Sequence, residues 1–109
     1  MTRPHNDVDD TSVEDALILA ETFHLLGDAT RLRIVIACLA EPISVGEIAV
    51  RLEASPSLVS HHLRLLRAAR LVRSERRGKQ VFYSAADAHI RDMLTDMLDH
   101  VAETDEDAP

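Results

Sequence analysis

From Ser44 to Arg70 the chain reads S-V-G-E-I-A-V-R-L-E-A-S-P-S-L-V-S-H-H-L-R-L-L-R-A-A-R, two amphipathic helical segments held only three residues apart. Ser44 and Glu47 have the spacing of a capping box, in which each satisfies a free amide at a helix start. A short helix is therefore expected to about Leu52. Ser55 then stands as an N-cap with Pro56 at the first helical position, where a missing N–H costs little. A link of Glu53 to Ser55 leaves the two helices no freedom to separate, which is the spacing of a helix-turn-helix.

The flanking sequence supplies what such a motif needs around it. Upstream, a helix is expected from Val13 to Leu26, started by Ser12 and Asp15, with apolar positions at Ala16, Leu17, Ala20, Phe23, Leu25 and Leu26, and stopped by Gly27. A second, from Ala29 to Ala40, is apolar apart from Arg31 and Arg33 and reads as the buried central helix, ended by Pro42. Downstream, β-prone runs at Leu71 to Ser74 and Gln80 to Ser84 flank a polar centre with Gly78, a hairpin signal. A last helix is expected from about Ala86 to Glu103. Residues 1–11 read as a flexible arm and 104–109 as an acidic tail, leaving one domain over 12–103. The expected fold class is mainly α with a small β-hairpin wing, a winged helix-turn-helix, forming a homodimer through its terminal helices.

The formal net charge of -7 argues at first against nucleic acid as a partner. Local charge says otherwise. Of 12 basic residues, seven lie between Ser60 and Gln80, against one acid, Glu75, while 13 of the 19 acids lie in the first 15 or last 23 positions. On the helix after Ser55 the expected core face is Leu58, Val59, Leu63, Leu65 and Leu66. Ser57, Ser60, His61, Arg64 and Arg67 then face outward, with Ser55 at the helix N-terminus. Arg76, Arg77 and Lys79 on the hairpin would reach flanking phosphates or a minor groove. His61 and His62 point about 100° apart on a helix and cannot share one metal; one is expected on the DNA side and the other packed or capping.

The runs L-L-G-D-A-T-R-L-R-I, V-G-E-I-A, S-P-S-L-V-S-H-H-L-R-L-L-R-A-A-R-L-V and G-K-Q-V-F-Y-S resemble the ArsR/SmtB family of bacterial metal-responsive repressors over roughly residues 14–103. The resemblance implies a homodimeric winged-helix repressor that binds double-stranded operator DNA and releases it when metal binds. It does not name the metal, because members sense at different positions and some sense none.

The last helix carries D-A-H-I-R-D-M-L-T-D-M-L-D-H-V-A-E, from Asp87 to Glu103. His89 and His100 fall on one face but are separated by about 16 Å along a helix axis, so one metal cannot hold both from one copy. His100 and Glu103, three apart, can chelate together; Asp87 and His89 can do so only if Asp87 precedes the helix. An antiparallel second copy would bring Asp87 and His89 of one subunit to His100 and Glu103 of the other, in two equivalent sites. Ile90, Met93, Leu94, Met97, Leu98 and Val101 form the apolar stripe expected at that dimer interface. Either histidine alone would read as a solvated surface group. The joint spacing resembles the intersubunit zinc pattern on the last helix of SmtB-type members. Two imidazoles and two carboxylates suit Zn(II), with Co(II) as a close mimic, and Ni(II) stays open if His5 joins the site.

The single cysteine, Cys38, excludes an intramolecular disulfide and reads as a small buried hydrophobe, and His24 as structural. The family's thiolate site at the start of the helix-turn-helix is absent, since that stretch reads P-I-S-V-G-E. No apolar run reaches membrane-spanning length, so a cytoplasmic protein with no membrane partner is expected. An enzyme is not expected: there is no nucleophile and base motif, no phosphate-binding glycine loop, and no organic substrate is implied. A repressor regulated through Cys38 oxidation or a small ligand, or a protein-binding module that has lost DNA binding, are the alternatives.

Overall fold

The computed structural model describes residues 10–107, with side chains described over 10–103. Its elements follow the order α1 (Val13–Leu26), α2 (Ala29–Ala37), β1 (Ile43–Ser44), α3 (Val45–Leu52), α4 (Pro56–Ala68), β2 (Val72–Arg77), β3 (Gln80–Ala85) and α5 (Ala88–Asp107). The strands form one antiparallel sheet in the order β1-β3-β2. This is a winged helix-turn-helix: α3 and α4 make the motif, β2 and β3 the wing.

Short-range capping sets the helix starts. Ser12 accepts from the Asp15 N–H (3.1 Å), Asp28 from that of Arg31 (2.9 Å) and Ser55 from that of Leu58 (3.1 Å). Ser44 and Glu47 form the expected reciprocal box. The stops of α3 and α4 share a second device. Glu53, with φ 55°, lies in the left-handed region; its N–H goes to the Val50 carbonyl (3.2 Å) and that of Ala54 to Ala49 (3.0 Å). Arg70, φ 61°, does the same for α4, its N–H bonding Arg67 (3.0 Å) and that of Leu71 bonding Leu66 (2.9 Å). Both are Schellman stops, and at Arg70 the accompanying apolar contact joins Leu66 and Leu71, both buried. The wing reverses at Gly78, φ 64°, the first of two residues between paired Arg77 and Gln80, where a two-residue hairpin requires positive φ.

The core is one cluster at the meeting of α2, α3, α4 and the sheet, with Ile34, Val35, Ile43, Ile48, Val59, Leu63, Leu66 and Leu71 almost wholly buried. It contains no buried polar or charged residue among those described. Several expectations are corrected. α2 ends at Ala37, not Ala40, because Cys38 and Leu39 turn onto Val35 and Ile36 through tighter bonds of 2.9 and 3.1 Å. The carbonyls so released hold other elements: Cys38 accepts from the Ala85 N–H of β3 (3.3 Å) and Leu39 from Arg91 Nε of α5 (3.4 Å). β2 runs to Arg77 rather than Ser74, and Leu71 belongs to the α4 stop. The short β1 was not expected; Ile43 and Ser44 pair with Tyr83 and Phe82. α5 starts at Ala88, two residues late, and its backbone remains helical past Glu103 to Asp107.

Two expected core faces are only partly core. On α4, Leu58 and Leu65 are exposed, lying roughly 110° and 130° round the helix from the centre of Val59, Leu63 and Leu66. On α1 only Leu26 is buried, while Leu17 (63% exposed) and Phe23 (52%) face away from the chain, because α1 packs mainly against α2.

A glycine at either left-handed stop relieves the steric cost of a side chain there. Glu53→Gly is expected to raise the unfolding free energy by about 0.5–1 kcal/mol in urea denaturation, whereas Leu66→Ala should lower it by about 2–5 kcal/mol. Asp28 supplies a pH-dependent part of stability. The backbone N–H of Arg31 holds its carboxyl below the ordinary range, against a smaller opposing effect of burial, with help from the Arg31 and His62 charges. That contribution is present above the unfolded carboxyl value and is lost as pH falls through the lower folded one. Asp28→Asn, which retains a capping oxygen, is expected to flatten the acid limb of a melting-temperature profile taken from about pH 3 to 7.

Candidate nucleic-acid interface and metal centre

α4 presents two surfaces beside its buried face. At 100° per residue, Ser57, His61 and Arg64 fall within an arc of about 60°, along with Ala68. Ser60 and Arg67 turn from it toward the wing. Ser57, His61, Arg64 and Arg67 are exposed and Ser60 is half-buried. Ser55 Oγ accepts the capping bond from the Leu58 N–H, which leaves its O–H able to donate beside the helix start. The two adjacent histidines diverge as expected, their ring centroids 5.6 Å apart and their planes 59° apart. His61 is exposed, and His62 turns inward on the flank where α4 packs on α2, close enough to Asp28 for its charge to be felt there.

The wing arginines part company. Strand alternation puts Arg76 on the same face as Val72 and Ser74, and Arg77 on the other with Arg73 and Glu75. Arg77 Nη2 donates to Glu75 Oε2 at 3.2 Å and its guanidinium lies 5.1 Å from the centroid of Phe82. Arg73 Nε donates to Ser84 at 3.2 Å on that face. Arg76 and Arg77, both expected to reach flanking phosphates or a minor groove, thus face opposite ways, and Arg77 already has a carboxylate and a ring. Lys79 is exposed in the turn. Between α4 and the wing lies a groove of about 520 Å³ lined by Ser60, Arg64, Arg67, Ala68 and Tyr83. Sequence reasoning missed Tyr83; only its cross-strand register, opposite Ser74 and Ile43, brings it to α4.

On α5 the four metal-candidate residues separate into two pairs. Asp87 precedes the helix and caps it, Oδ1 accepting from the Ile90 N–H at 3.0 Å, which meets the condition for pairing with His89. His100 and Glu103 stand eleven or more residues on in the same continuous helix. All four side chains are exposed. Among the described residues no three ligand-type side chains come together, so one chain brings no complete site together. The donor chemistry, one imidazole and one carboxylate at each end of the helix, fits half of a four-coordinate zinc site twice over. His5 lies outside the described residues.

The apolar stripe of α5 divides. Leu94 is only 7% exposed and, with half-buried Ile90 and Met93, packs on the chain's own core. Leu94 is thus corrected from an interface residue to a core one. Met97 (53%), Leu98 and Val101 are exposed, as are Leu17, Ile18 and Phe23 of α1. Cys38 is fully buried, and burial pushes its thiol up to about 12.

The profile of the bacterial regulatory proteins of the arsR family matches residues 28–74, from the cap of α2 through the first half of β2. A transcriptional repressor SmtB homolog from Synechocystis sp. is 39% identical over 94 residues, covering 86% of this chain and 71% of that one. The chain belongs to the ArsR family. It is a DNA-binding transcriptional regulator and not an enzyme. Among solved structures, the cadmium metal-sensor CmtR from Mycobacterium tuberculosis is similar with a TM-score of 0.63 and 38% identity, covering 71% of this chain and 80% of that one. HlyU from Vibrio cholerae gives a TM-score of 0.75 at 28% identity, covering 83% and 97%. No helix among the described residues is long and apolar enough to cross a membrane.

The burial of Cys38 leads to an expected outcome. The folded protein should not react with Ellman's reagent near pH 8, and its thiol should titrate fully only in denaturant.

Proposed function

We propose that this ArsR-family regulator is a cytoplasmic, homodimeric repressor that holds operator DNA in its metal-free form and releases it when Zn(II), or Co(II) in its place, binds between the two copies of α5. The observation that carries this reading is the arrangement on α5: two ligand pairs at opposite ends of one unbroken helix, each incomplete, beside unpartnered Met97, Leu98 and Val101. The identity to a repressor of the SmtB type and to a cadmium sensor supports a metal effector.

In the proposed dimer α5 packs antiparallel on its copy, and exposed Leu17, Ile18 and Phe23 of α1 extend the contact. Asp87 and His89 of one protomer then face the partner's His100 and Glu103, and the two-fold axis repeats the site. The bound ion would supply four short bonds that tie the helices together. The chain's own residues convert that tie into DNA release. Arg91, on the His89 end of α5, donates to the Leu39 carbonyl, and the neighbouring Cys38 carbonyl holds β3, so a shift of α5 reaches the wing through adjacent hydrogen bonds. A displaced wing and recognition helix no longer match successive grooves, with a coupling of about 1–3 kcal/mol, or 5- to 150-fold in affinity. The shielded thiol of Cys38 weighs against an oxidation-regulated alternative.

The test is fluorescence anisotropy with a duplex selected from a randomised library, titrated with Zn(II), Co(II), Ni(II) and Cd(II). Wild-type protein should release the duplex with Zn(II) and Co(II). His89→Gln and His100→Gln should bind DNA as tightly as metal-free wild type and fail to release it. Release by both variants at an unchanged metal midpoint would sink the α5 site, and parallel or separated α5 helices in a dimer structure would sink its geometry.

A further inference from the structure

The groove between α4 and the wing carries charge that the chain leaves unbalanced. Arg64 and Arg67 line it, and no ion pair or hydrogen bond engages either guanidinium among the described residues. α4 itself contains no acid from Pro56 to Ala68. Arg77 makes the contrast, paired with Glu75 and resting on Phe82 at the outer face of the wing. Opposite the arginines stands Tyr83, its ring packed against the core and fixed by β3 between Ile43 and Ser74. Its hydroxyl makes no hydrogen bond among the described residues and is not sealed from solvent. Ser60 adds a second hydroxyl to the same groove.

Duplex geometry says what crosses this space. If α4 enters the major groove and the wing reaches the adjacent minor groove, the strand that separates the two grooves must pass between helix and wing. A sugar-phosphate backbone, and not a base edge, is then what lies opposite Ser60, Arg67 and Tyr83. We infer that Ser60, Arg64, Arg67 and the Tyr83 hydroxyl form a clamp for one backbone phosphodiester of bound duplex DNA, with Ser57 and His61 left to read bases. The inference rests on DNA binding by this chain. It sorts the outward face of α4 into a part that positions and a part that specifies. Tyr83 is the rigid member, because strand pairing on both sides holds its ring, and an aromatic body with a polar tip can pack on the core and still donate to an oxygen at the rim. Arg64 and Arg67 supply the charge.

The experiment compares wild type, Tyr83→Phe, Arg67→Gln and Ser57→Ala on two probes, a library-selected duplex and a random-sequence duplex of equal length. Tyr83→Phe keeps the ring and should melt at the wild-type temperature. It should weaken both probes by the same factor, about threefold to tenfold, leaving the ratio between them and the salt dependence unchanged. Arg67→Gln should also weaken both equally and reduce the slope of log affinity against log salt by about 0.9. Ser57→Ala should change the ratio. In a series of duplexes carrying one uncharged methylphosphonate at successive positions, one position should cost Tyr83→Phe less than it costs wild type, because the hydroxyl contact there is already gone while the arginine contacts remain. A Tyr83→Phe protein that binds as wild type, or that loses as much as wild type at every methylphosphonate position, overturns the clamp and leaves DNA binding standing. A Tyr83→Phe protein with an altered selected-to-random ratio overturns it by making Tyr83 a base reader. Wild type that binds neither duplex overturns the clamp and the DNA-binding reading together.

Discussion

The bond from the Leu71 N–H to the Leu66 carbonyl, 2.9 Å, with Arg70 in the left-handed region between them, is the hinge on which this architecture turns. It ends the recognition helix in the one way that points the next residue back into the core, where Leu71 and Val72 are buried. From there β2 must leave along the flank of α4. The groove, the placement of Tyr83 and the alternation that separates Arg76 from Arg77 all follow from where that strand begins. A chain that frayed here would keep its helices and lose the relation between helix and wing.

What could be read from the sequence divides by the range of the force involved. Ser12, Ser44 with Glu47, and Ser55 cap helices by bonds spanning three residues, so their pattern stands in the sequence and the structure agrees. The start of α5 also depends on such a bond, but the pattern placed it only near Ala86 and left open whether Asp87 precedes the helix; its Oδ1 is the cap. β1 is two residues long, too short for any period. Tyr83 reached the groove only through cross-strand register, with Ser74 in the hairpin and with Ile43 far away in sequence. The apolar faces of α1 and α5 were legible as apolar but not as to what covers them. An amphipathic helix announces that it needs a surface; Leu94 finds it within the chain and Met97, one turn on, does not.

That division of α5 has a mechanical meaning. Its first turns are rooted in the core by Leu94, Ile90 and the Arg91 bond to Leu39, and its later turns project from the domain. A helix anchored at one end acts as a lever, so contacts made with its free half are felt at the root. The root adjoins the end of α2, whose two consecutive carbonyls hold the wing and α5 side by side. α5 and the wing therefore share one anchorage, the end of α2.

Asp87 illustrates how evolution can be misread at such a site. Its carboxylate terminates the helix and also stands beside His89, and the first duty persists whether or not an ion is ever bound. Under the proposed function, aspartate is expected here even in a relative that binds no metal, because the helix start still needs its cap. His89, by contrast, is exposed and takes no part in capping the helix it sits on. An aspartate at this position is therefore no mark of metal binding by itself.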